Sequence, residues 1–161
     1  MASLAQMRLE FTERTLGWID GVARRRGRDA NLPSHLSAGL AGEDAAFFYL
    51  RRKGYTVVAR RWSSGELPGD IDLGAWQDSL LCFVEVKTRT ARDATPAQSA
   101  VDAHKRHTLR RLARRYLRQL PQPQPPQVRF DVLGVYLIPG QDPQFEHFEA
   151  AFDRAPSSRD D

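Results

Sequence analysis

With a single cysteine, Cys82, this 161-residue sequence can hold no internal disulfide framework and no cysteine-built zinc site. A lone thiol fits a reducing compartment, so cytoplasm is the expected location. No apolar run approaches the ~20 residues that a membrane-spanning helix needs, and no membrane partner is expected. The N-terminus lacks the unbroken apolar core of a secretory signal, and Glu10 and Glu13 are out of place in a transit peptide. There is no internal repeat and no base-reading helix motif, so any recognition of nucleic acid should follow structure rather than sequence.

What is present suffices for one domain around one core, at 41% hydrophobic residues. The 24 Lys and Arg against 20 Asp and Glu give a basic chain, a suitable partner for a polyanion. Residues 1–35 read as an N-terminal extension, because Arg24, Arg25, Arg26 and Arg28 sit among Gly and Pro in a solvated, linker-like stretch. Residues 36–152 read as the folded domain and residues 153–161 as a polar tail that frays. Helical spacing of Leu40, Ala41, Asp44, Ala45, Phe48 and Tyr49 predicts a helix over Leu36–Lys53, stopped at Gly54. Strands follow at Tyr55–Trp62, Gly69–Trp76 and Leu80–Thr88, the last two joined by Gln77, Asp78 and Ser79 as a hairpin. One long helix is expected over Ala97–Leu120, with Leu109, Leu112, Ala113, Tyr116, Leu117 and Leu120 as its apolar stripe. A stiff Pro- and Gln-rich connector leads to a strand at Val128–Leu137, and a short strand is expected near Phe145–Phe148. This order gives an α/β fold with helices covering a mixed sheet.

The carboxylates on the predicted hairpin need a reason. Side chains alternate along a strand, so Asp70 and Asp72 share a face, as do Glu85 and Lys87 on the partner strand. Strands so rich in Val, Leu, Ile and Phe are expected to be buried, and buried acids are costly unless paired or bound to a cation. Two acids side by side repel and raise each other's pKa unless a divalent cation compensates them. Oxygen ligands suit Mg²⁺ or Mn²⁺, and Lys87 one step away could hold an attacking water or a phosphate. A partly buried salt bridge to Lys87 or an arginine is the competing reading. The Glu-x-Lys triplet alone decides nothing, since about one in every two or three chains this long carries it by chance.

An Asp on one strand followed by Glu-x-Lys on the next resembles the signature of the PD-(D/E)xK nuclease superfamily. A longer pattern resembles the YraN family of endonuclease-like bacterial proteins: Gly42, Glu43, Ala45, Ala46, Tyr49, Leu50, Gly54 and Tyr55, then Gly69–Leu73, then Phe83–Arg89. It continues through Val101, Lys105, Ala113, Tyr116 and Leu117, then Arg129–Val132, then Ala151 and Phe152, so it covers about residues 38–152. The resemblance implies a restriction-endonuclease-like core similar to that of Holliday-junction resolvases. It further implies Asp72 and Glu85 as metal ligands, Lys87 as the catalytic lysine and Glu43 as a third ligand from the first helix; read from the residues alone, Glu43 is an acid near a helix N-terminus. The chain departs from the family in having Asp70 where Glu is usual and in a longer turn before it. The extension has no counterpart in the family pattern.

The expected function is therefore a Mg²⁺- or Mn²⁺-dependent endonuclease that hydrolyses DNA phosphodiesters, with branched or junction DNA and a homodimer as family-level implications. Arg89, Lys105, Arg106, Arg110 and Arg114 are the residues expected to meet phosphates. His104 and His107, lacking a third ligand, read as surface residues. Two alternatives stand beside the enzyme: a non-catalytic nucleic-acid-binding adaptor in recombination, repair or DNA uptake, and an interaction module built on Phe11, Leu16 and Trp18 of the extension.

Overall fold

The computed structural model describes residues 34–92, 96–121 and 124–154. Of the expected extension 1–35 and tail 153–161, the described residues include 34, 35, 153 and 154, and the rest lie outside them.

Helix α1 spans Ser34–Arg52 and ends by a Schellman pair: Gly54 N donates to Arg51 O at 3.1 Å and Tyr55 N to Leu50 O at 3.0 Å. Gly54 carries the positive φ of 89° that this ending requires, and Arg51 and Arg52 face the negative end of the helix dipole. Strand β1 (Thr56–Trp62) follows, then β2 (Ile71–Gln77) and β3 (Leu80–Arg89), paired as an antiparallel hairpin through Asp78 and Ser79. The crossover to β4 (Gln127–Tyr136) runs through a short 3-10 turn (Ala97–Ala100) and helix α2 (Ala103–Leu117). Strand β5 (Gln144–Phe152) closes the sheet, in the order β1-β2-β3-β4-β5. Among the described strands only β3 and β4 pair in parallel, which is why a helical crossover joins them. The fold is α/β, a five-stranded mixed sheet flanked by two helices, consistent with the expected restriction-endonuclease-like core.

Two expected boundaries are corrected. The long helix over Ala97–Leu120 is broken at Val101–Asp102, because Asp102 is extended and caps α2: its Oδ1 accepts the Lys105 N–H at 2.8 Å. The last strand is longer than Phe145–Phe148, since a bulge at its far end carries it on to Phe152.

The helices lie on opposite faces. Leu109, Leu112 and Ala113 of α2 pack with Leu81, Phe83, Phe130 and Val132 in one cluster. Thr88, of opposite parity to Phe83, touches α1 at Gly42, where an added Cβ would sit 1.8 Å from its Oγ1. Only glycine lets α1 approach β3 this closely. Among the described residues, no helix is long and apolar enough to cross a membrane.

Candidate active site

The hairpin ladder between β2 and β3 runs from Gln77↔Leu80 to Leu73↔Val84 and stops there. Where the strands part, Asp72 Oδ2 accepts the Val86 N–H at 2.7 Å, so a side chain takes the amide. Asp72 and Glu85 thus meet at the fork of the two strands. The same device recurs at the bulge opposite Asp131, whose Oδ1 accepts the Ala150 N–H at 3.0 Å.

Glu85 is 3% exposed and has a lysine on each oxygen: Lys87 Nζ at 2.9 Å from Oε1 and Lys105 Nζ at 3.1 Å from Oε2. The second contact is an ion pair without hydrogen-bond geometry, so Oε2 is buried with no hydrogen bond. Burial pushes the Asp72 carboxyl up to about 8, helped by the charge of Glu85 and opposed by the Val86 amide and Lys105. For Lys105, burial disfavours the charge, but Glu85 and Asp72 outweigh it and hold the ammonium above the ordinary lysine range. Two acids and two lysines therefore form one mutually dependent group.

Of the expected site residues, Lys87 lies against Glu85, and Asp72 stands at the same fork within reach of the Glu85 charge. Glu43 does not join them in direct contact: its Oε2 accepts from Arg61 Nε and lies 3.9 Å from Arg60 Nε. Its charge still adds to the field that raises Asp72. Arg61 has a left-handed φ of 46°, which lets adjacent arginines both turn to α1, Arg60 to Asp44 and Arg61 to Glu43. Asp70 is half-buried just before β2, and its charge reaches both Arg61 and Lys105. Among the described residues, no three acidic, His or Cys side chains converge as a ready-made metal cluster. The pair Asp72 and Glu85 nonetheless fits a hard divalent cation, because both offer oxygen and a cation would compensate the Asp72 charge that burial and Glu85 disfavour.

The expected phosphate-binding set divides. Lys105 belongs to the acid pair, because the Asp102 cap sets α2 with its first turn over Glu85. Arg110 is 6% exposed: its Nε donates to Asp153 O at 2.9 Å and its guanidinium lies 5.5 Å from the Phe152 ring centre. Arg106 donates to Val101 O at 2.9 Å and covers the same ring at 5.8 Å. Both arginines hold β5 and the 3-10 turn to α2, and so read as structural. Arg89, half-buried at the end of β3, shares the face of Glu85 and Lys87 by alternation, and Arg114 is exposed. His104 and His107 are exposed, as expected of surface residues.

One polar group was not singled out from the sequence. Asp131, fully buried on the α1 face, takes Arg129 through two 2.8 Å contacts and His147 Nε2 at 3.0 Å. Arg129 passes on to Tyr55 Oη at 3.0 Å, and Tyr55 donates to Glu149 Oε1 at 3.0 Å. Burial opposes the Asp131 charge, but His147, Arg129 and the Ala150 amide hold its carboxyl below the usual range. The run Arg129–Val132 carried the family pattern but no hint of this use.

The pattern of the uncharacterised protein family UPF0102 matches residues 42–135, more than half of the chain. The chain belongs to this family. A UPF0102 protein of Koribacter versatilis is 49% identical over 127 residues, 79% of this chain and 85% of the relative. One from Solibacter usitatus is 46% identical over 114 residues (71% and 84%), and one from Nocardia farcinica 41% over 115 (71% and 87%). The family match spans Glu43, Asp72, Glu85, Lys87, Lys105 and Asp131, and leaves out the extension.

Proposed function

We propose that this UPF0102 protein is a nuclease of the PD-(D/E)xK type that hydrolyses DNA phosphodiesters with Mg²⁺ or Mn²⁺. One observation carries this reading: Asp72, whose charge is disfavoured by burial and by Glu85, stands at the fork of a hairpin with Glu85, which Lys87 and Lys105 flank. A fold without chemistry to perform gains nothing from such a pair. Asp72 and Glu85 would hold the cation, which when bound supplies Lewis-acid polarisation of the phosphate and lowers the pKa of water. Lys87 would orient the attacking water or a phosphate oxygen, and Lys105 would offset charge that builds on the phosphate.

The test uses linear, flapped, single-stranded and four-way-junction DNA with Mg²⁺, Mn²⁺ or EDTA, beside Asp72→Ala and Lys87→Ala. Metal-dependent cleavage lost in both variants supports the reading and reveals any preference for branched DNA. A second reading, a non-catalytic nucleic-acid adaptor for recombination, repair or uptake, draws on Glu43 being held by Arg61 and Glu85 by two lysines. Tight DNA binding without cleavage in either metal would favour it.

A further inference from the structure

The second half of α2 carries a feature that the metal site does not use. Arg111, Arg114 and Arg118 are exposed and spaced so that they form one stripe, about 10 Å long at 1.5 Å per residue. They line an open cleft of about 680 Å³ with Arg154. Its other walls are apolar: Leu117 and Leu120 from the end of the helix, Leu67 from the β1–β2 loop, and Pro125 and Pro126 from the connector. None of the four arginines has an acidic partner among the described residues, whereas neighbouring Arg115 is tied to Glu66 at 2.6 Å.

Four unneutralised guanidiniums call for an anion, and a helical stripe calls for a repeating one. Duplex phosphates would need only a convex cationic face. A concave cleft with proline and leucine walls between guanidiniums instead suits phosphates joined to unstacked planar bases, which stack on guanidinium planes and pack against apolar walls. The cleft is also linked to the acid pair. The loop that supplies Leu67 continues through Gly69, which lies against Thr108 and Leu112 of α2, to Asp70 and Asp72.

We propose that this cleft binds the backbone and bases of an unpaired nucleic-acid strand, and so selects substrates with a single-stranded segment beside the cutting site. The proposal rests on the nuclease reading for its purpose but not for its test. Binding is measured by fluorescence anisotropy in EDTA, where no cleavage occurs, with a labelled oligothymidylate, an abasic oligomer of equal length and a blunt duplex.

The expected result is tighter binding of oligothymidylate than of the abasic oligomer, and a loss of at least about ten-fold in Arg114→Gln/Arg118→Gln, whose side chains are exposed. The slope of log affinity against log salt should fall by roughly 1.4 for two lost single-strand contacts. Arg52→Gln, exposed on α1, should change neither. Unaltered single-strand binding in the double variant overturns the proposal. So does competition by polyglutamate as strong as that by an oligonucleotide of equal charge, which would make the cleft a site for acidic peptide. A protein that cleaves DNA but fails these tests loses the cleft and keeps the nuclease; one that passes without cleaving does the reverse.

Discussion

Lys105 shows how a single side chain changes meaning when its partner is known. From the sequence it is one more cation on a basic helix; in the fold it sits 3.1 Å from the Glu85 oxygen that has no hydrogen bond. A cation bound by Glu85 competes with that ammonium. Lys105→Met should therefore tighten Mn²⁺ binding to the DNA-free protein, by about ten-fold at most, while slowing DNA cleavage. Titration calorimetry with Mn²⁺ decides: weaker binding in the variant would mean that Lys105 builds the site rather than contests it. Asp131 makes the companion case for stability. Asp131→Ala leaves Arg129 and His147 half-buried without their acid, and should cost about 3–5 kcal/mol in urea unfolding. A cost below about 1 kcal/mol would mean that water replaces the carboxylate. Asp72, Glu85 and Lys87 were legible because strand alternation fixes which neighbours share a face. Arg106, Arg110 and Asp131 were not, because periodicity assigns a face but not the partner found across it.

The elements matter through their points of contact. Helix α1 approaches β3 closely only because Gly42 admits Thr88, and Glu43 and Asp44, which follow directly in sequence, take Arg61 and Arg60. Gly42→Ala should push the helix off β3 and cost about 1–3 kcal/mol, with the Glu43–Arg61 pair disturbed as well. Thr88→Ala in the same chain should recover part of the loss, since the nearest clashing atom is its Oγ1. Additive effects in the double variant would show that the two residues do not meet. The helices, the hairpin and their order were readable from spacing and turn residues. The break at Asp102 is not legible from periodicity, because it is local chemistry, an Asp side chain capturing the amide three residues on.

Over the whole molecule, Asp72 and Asp131 bias stability in opposite pH directions. The folded pKa of Asp72 is raised to about 8, so the folded chain holds that proton more firmly than the unfolded one. Its contribution is complete below the unfolded value near 4 and is lost as pH rises to about 8. Asp131 is depressed in the fold, so its contribution is present above the unfolded value and disappears as pH falls through the folded one. The metal-free protein should accordingly be most stable on the acid side of neutrality and weaken toward pH of about 8. On the proposed reading, a divalent cation at Asp72 and Glu85 would replace the proton and favour the folded chain, so its stabilisation would grow as Asp72 ionises. Melting temperature against pH should therefore decline toward the alkaline side in EDTA and flatten when Mg²⁺ or Mn²⁺ is added. In Asp72→Asn the EDTA profile should already be flat and the response to metal lost. A decline that persists in Asp72→Asn would place the titrating group elsewhere, and a metal response that persists would place the cation elsewhere.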